Sequence, residues 1–332
     1  ICGKAKSDKS AHPGGKWCKR PQHVNLTQAS VATVAGIDSI IGSASGDNIT
    51  LSGTNTVTIA NLDTITGGAT ADYVTASGTS SAMNTSLVET LVGTGGNDAI
   101  TVTAAQTGAL YNLVGGSDSL ALANGTNTLS AFNVETVFGN AGSDNITLGG
   151  ASGQSVQVSA VETITGTANS DQVTFSTAAT ATVNSIEALV GSASTDVITL
   201  GNASTVTASL IDSLIGSSGT DAVTLNNNTS NTINVSGVES VAGGQFNDQV
   251  TLSAANTLTL SGVETLIGTS ASESVSLSGS TTLQAASVNT LVGSSAAEQV
   301  TFSAAATTTV GDIDSLIGSV STDIITVSGG GT

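Results

Sequence analysis

The stretch VETLVGTGGNDAITV, residues 88–102, decides the fold because the chain repeats it. It returns as VETVFGNAGSDNITL (134–148), as VETITGTANSDQVTF (161–175) and as IDSLIGSVSTDIITV (313–327). Aligning on the Gly after the apolar pair gives Gly42, Gly67, Gly93, Gly115, Gly139, Gly166, Gly191, Gly216, Gly243, Gly268, Gly293 and Gly318. The step from Gly93 to Gly115 is the shortest. A steady period of roughly 25 residues is the mark of a repeat architecture, in which each unit buries its apolar face against the next.

Three short segments recur in each copy. The first is an apolar residue, an acid, Ser or Thr and a Leu or Ile, ending at the Gly. The second follows a polar turn, as in AITV (99–102) and QVTF (172–175). The third follows a looser turn, as in NTVTIA (55–60). All are short, alternate in polarity and favour β-branched side chains, which is a strand pattern. No Pro follows Pro21, so nothing interrupts a ladder of strands. The reading is an all-β parallel β-solenoid of about 12 coils of ~25 residues, three strands to a coil, stacked at ~4.8 Å. A propeller blade needs roughly 40 residues and fits poorly. The central Thr of the second segment (Thr50, Thr75, Thr101, Thr147, Thr174) is expected to face outward as a single column. The solenoid is assigned to 29–327, after a basic arm at 1–28 and before a Gly-rich tail at 328–332.

The acids keep a register. Asp38, Asp63, Glu89, Glu135, Glu162, Glu187, Asp212, Glu239, Glu264 and Asp314 each stand four residues before the Gly. Asp47, Asp72, Asp98, Asp144, Asp171, Asp196, Asp221, Asp248 and Asp323 stand five residues after it; Glu273 and Glu298 take that place twice. Asp118 comes early in the shortened copy that starts at Gly115. These two sets hold 22 of the 24 acids, too many for random surface decoration. Like charges stacked at ~4.8 Å repel by about 0.9 kcal/mol per pair in water and about 3.5 kcal/mol at an effective dielectric near 20. Splaying, protonation or an intervening cation would relieve them. The alternative for the second set is an Asp that caps its own turn on backbone N–H groups.

The turn GTGGNDAIT (93–101) resembles the haemolysin-type (RTX) calcium-binding nonapeptide, and GNAGSDNIT (139–147) and GSSGTDAVT (216–224) resemble it less closely. The resemblance implies a secreted or surface protein of bacterial type, with Ca²⁺ held by turn carbonyls and by Asp98, Asp144 and Asp221. It also implies that Ile100, Ile146 and Val223 point inward. By position the expectation extends to Asp47, Asp72, Asp171, Asp196, Asp248 and Asp323. Among the copies with the full spacing only the three quoted turns keep the Gly two residues before the acid, and tandem nonapeptides are missing.

Charge is unevenly placed. All six basic residues, Lys4, Lys6, Lys9, Lys16, Lys19 and Arg20, lie in the arm, and the net charge is −18. An acidic body repels nucleic acid and anionic membrane, so neither is expected as a partner. No apolar run approaches the length of a membrane span. Cys2 and Cys18, with no other Cys to pair, point to one disulfide in an oxidising compartment. Zinc bound by Cys2, His12, Cys18 and His23, or two free thiols, are the alternatives.

The function expected from these features is an extracellular structural protein. Its partner would be itself, stacked head-to-tail into a filament, sheath or surface layer and stabilised by calcium, with the basic arm clamping the joint. That expectation leans on phase: the repeat begins with a third segment near Ala29 and stops after a second at Val327. An adhesin stalk or a binding module for ice or another ligand is the alternative. A polysaccharide-active enzyme fits least. Every acid pair is repeated and none is singled out, aromatic residues make up only 2%, and no Lys or Arg follows Arg20 to clamp an acidic sugar.

Overall fold

The computed structural model describes residues 21–269 and 271–328. Cys2, Cys18, His12, the six basic residues and the tail beyond 328 lie outside the described residues. Among the described residues, thirty-six short strands run from His23–Asn25 to Ile324–Val327, and there is no helix. Each strand pairs in parallel with the second strand along the chain, so odd strands form one 18-stranded sheet and even strands form the other. The fold is a parallel β-solenoid.

The coil differs from the three-strand coil expected. Asn55 faces Asp72 across a ladder, a step of 17 residues along the chain. Ala82 faces Ala99, and Asn48 faces Thr64, at similar separations. A coil therefore contains two strands. A repeat contains three, and so spans one and a half coils. Successive repeats begin on opposite edges of the rod, and three coils use up two repeats. Eighteen coils at ~4.8 Å give a rod of ~85 Å rather than the ~60 Å of twelve. The broken-coil argument for head-to-tail stacking falls with this correction, because two-strand coils lack no third piece. The ladder also extends into the segment before residue 29, since His23–Asn25 already pairs with Ser39–Ile41.

Alternation places the core between the two sheets. Ile49 and Leu51, Ile100 and Val102, and Val173 and Phe175 point inward and are essentially inaccessible. The corner residue before most outer acids is also buried, as with Leu62, Val88, Val161 and Ile211, and only partly so at Ile37 and Ile313 near the two ends. Ile100, Ile146 and Val223 are buried as the turn pattern implied. Thr50, Thr75, Thr101, Thr147 and Thr174 lie on the outward side of their strands, but not as a single column. Each strand has at least two outward positions, such as Asn48 with Thr50 or Thr64 with Thr66. Among the described strands, no outward-facing position carries Asp, Glu, Lys or Arg.

Candidate functional site: the carboxylate edges

Because a repeat advances one and a half coils, the two acid sets do not form separate ladders. They interleave along both edges of the rod. On one edge the order is Asn55, Asp72, Glu89, and later Asn127, Asp144, Glu162. On the other it is Gln154, Asp171, Glu187, then Ser204, Asp221, Glu239. A neutral residue thus precedes each acid pair except Asp118–Glu135, and most carboxylates have one charged neighbour instead of two.

The acid after the Gly is buried. Asp47, Asp98, Asp171, Asp196, Asp221 and Asp248 are each at most 1% exposed, and Asp72, Glu273 and Glu298 nearly so. At Asp221, one oxygen (Oδ2) accepts the Ser217 N–H at 2.6 Å and the Ser217 hydroxyl at 2.9 Å. The other (Oδ1) accepts the Ser204 N–H, from the coil below, at 2.8 Å. Asp196 repeats this with Ser192 and Ala179, and Asp248 with Gly244 and Asn231. Asp72 uses Gly68 and Asn55. In Asp47, Asp98 and Asp171 the turn donors are Ser43, Thr94 and Thr167; in Glu273, Glu298 and Asp323 they are Thr269, Ser294 and Ser319. Within this set, only Asp118 and Asp144 have no hydrogen bond from their own turn.

The acid before the Gly has a different task. Its carboxylate accepts the N–H of the buried acid one coil earlier. Asp63 takes Asp47 N–H at 2.8 Å, Glu89 takes Asp72 at 2.7 Å, Glu187 takes Asp171 at 2.7 Å and Glu264 takes Asp248 at 2.8 Å. Asn289 takes the place of the acid beside Glu273, where its amide N–H can donate to the Glu273 carboxylate and to the Ala271 carbonyl. A carboxylate accepting peptide N–H groups is a charge-assisted bond, stronger than a neutral pair. The two acid sets are therefore one device for joining a turn to the turns above and below it.

The repeat Gly belongs to the same device. A Cβ on Gly191 would lie 1.7 Å from the Leu210 carbonyl oxygen and 2.8 Å from Asp196 Oδ2. Gly42, Gly67, Gly139 and Gly166 meet Asn61, Leu87, Ala160 and Ser185 in the same way. The carbonyl concerned comes from a residue that sequence reasoning missed. Asn61, Leu87, Ala160, Ser185, Leu210 and Ser287 sit at φ between 49° and 56°, in the left-handed region. This bend turns the chain from the third segment into the first. The available signal was Gly at that place in three copies, Gly36, Gly237 and Gly262.

Calcium takes six to eight oxygen ligands. The oxygens of most buried carboxylates here face N–H and O–H donors instead, and among the described residues no group of three or more His, Cys, Asp or Glu is arranged to hold a metal ion. The unpartnered buried oxygens, Asp47 Oδ1, Asp118 Oδ2, Asp144 Oδ2 and Glu298 Oε2, are single atoms on different turns. In this arrangement most of the buried carboxylate oxygens are taken by N–H and O–H donors. Comparison of the chain with protein-family models, curated proteins and solved structures gives no match. The RTX resemblance thus rests on the quoted turns alone.

Proposed function

We propose that this chain is a non-catalytic structural rod of an extracellular or cell-surface protein, and that its acids serve its own coils rather than a ligand. The observation that carries this reading is the hydrogen bonding at the edges. The carboxylates an enzyme or metal site would need are occupied by peptide N–H groups of neighbouring turns. The outward faces support it, being lined mostly by Thr, Ser, Asn, Gln, Ala and Val, with no Asp, Glu, Lys or Arg at an outward position of the described strands. No helix among the described residues is long and apolar enough to cross a membrane. In this reading the rod acts as a stiff spacer that grows axially, coil upon coil, and head-to-tail stacking of copies is its filament form.

Small-angle scattering of the purified protein tests the rod. A long dimension of ~85 Å or more fits, whereas a compact particle overturns the reading. Light scattering over a concentration series tests the filament form separately. Growth in mass is expected, and a monomer at every concentration removes the filament while leaving the spacer.

A binding face is the second reading, and one patch favours it. Thr128, Asn145, Thr163, Thr182 and Thr199 stack in register over five coils, beside Ser130, Thr147, Thr165 and Asn184. This gives two adjacent columns of small hydrogen-bonding side chains, the arrangement an ice lattice would engage. Adsorption to ice that is lost on Thr163→Tyr would support it, and no adsorption would dismiss it.

A further inference from the structure

One interval of the repeat is short of a strand. Between Gly93 and Gly115 lie only Ala99–Val102 and Thr107–Asn112, whereas the other intervals contain three strands. Two strands make a whole coil, so the next repeat begins on the same edge as the last instead of the opposite one. The neutral member of the edge pattern is lost, and Asp98, Asp118 and Glu135 stack directly. Asp98 N–H donates to Asp118 Oδ1 at 2.7 Å, and Asp118 N–H donates to Glu135 Oε2 at 2.7 Å. Asp118 is at once the buried acid of its own turn and the outer acid for Asp98.

The same shortening removes a donor. Asp118 follows its Gly by three positions instead of five. The N–H four residues before Asp118 is that of Val114, which stands at φ 74° and donates to Asn112 Oδ1 at 3.2 Å. In the preceding copy the corresponding Thr94 N–H donates to Asp98 at 2.7 Å. Asp118 is 1% exposed, and its Oδ2 has no hydrogen-bond partner. No Lys or Arg follows Arg20 to balance the three charges.

We propose that the Asp98–Asp118–Glu135 stack is a proton-binding site that makes this coil an acid-stabilised joint in the rod. A proton on Asp118 Oδ2 discharges the middle carboxylate of three. It also turns a buried acceptor without a donor into an O–H that can itself donate. The charged groups acting on Asp118 are Glu135 from the coil above and Asp98 from the coil below. Burial, reinforced by these two charges, raises the Asp118 carboxyl above its ordinary value, against the pull of the Asp98 N–H. The folded state therefore holds this proton more tightly than the unfolded chain. The contribution is complete below the ordinary carboxyl value and is lost as pH rises through the raised one. In a solenoid each coil contacts mainly its neighbours, so the effect is local.

Native-state hydrogen exchange, corrected for the intrinsic rate, reads this joint. Protection of residues 93–121 should fall several-fold relative to residues 166–196 between about pH 4 and about pH 8. Asp118→Asn keeps an oxygen acceptor for Asp98 and should abolish the fall. Glu135→Gln keeps the acceptor for Asp118 N–H, removes one flanking charge and should shift the fall to lower pH. Equal pH dependence in the two wild-type segments overturns the proposal. So does an unchanged fall in Asp118→Asn or, if that variant does not fold, in Glu135→Gln.

Discussion

At Gly191 a single hydrogen in place of a methyl group lets two coils meet, because the Leu210 carbonyl occupies the space a Cβ would need. Gly191→Ala must displace backbone, and a loss of about 1–3 kcal/mol is expected in chemical unfolding. Leu210 supplies that carbonyl from a left-handed conformation at φ 54°, with its side chain 61% exposed. Leu210→Gly removes the strain without removing packing, so its unfolding free energy should rise by about 1 kcal/mol. Asp221→Ala leaves the N–H groups of Ser217 and Ser204 without their acceptor. Each such buried donor costs about 1–3 kcal/mol, and the variant should unfold well below the wild type. Gly191 and Asp221 were legible from regular spacing within the chain. Their partners Leu210 and Ser204 were not, because each lies a coil away along the sequence and meets them only once the coil has closed.

At the scale of strands and turns, local pattern was a good guide. The alternation in NTVTIA and QVTF announces strands, and these are strands in the fold. The number of strands per coil was not legible. Sequence period and coil period coincide only if one repeat closes one coil, and three strands distributed over two sheets do not close. The shortened interval from Gly93 to Gly115 was visible in the spacing, but its effect on the acid edges depends on that missed count. Turns differ in what they hold. The turn before Asp196 supplies Ser192 N–H to the buried carboxylate, whereas Asn227, Asn228 and Thr229 form the exposed tip of a longer loop. Two Gly residues inserted after Asn228 should leave the thermal midpoint nearly unchanged. The same insertion after Ala193 should lower it, because it pulls Ser192 away from Asp196. Equal effects would show that the Asp turn is not a joint.

At the scale of the rod, the described edges carry the acids, and the outward faces of the described strands carry no Asp, Glu, Lys or Arg. The acids were visible in the sequence as a register, and the calcium expectation came from the resemblance of three turns to the RTX nonapeptide, extended by position to the other acids. Interleaving with neutral residues reduces the repulsion, and peptide N–H groups supply the positive ends of dipoles that a cation would otherwise provide. The central claim is that the acid edges hold this rod together without a metal. Thermal unfolding of chelator-treated protein, titrated with Ca²⁺ against matched monovalent ionic strength, tests it most directly. A ligand that binds only the folded state raises the midpoint as its concentration exceeds its dissociation constant. The account predicts the same midpoint in both series up to millimolar Ca²⁺; a rise specific to Ca²⁺ would contradict it.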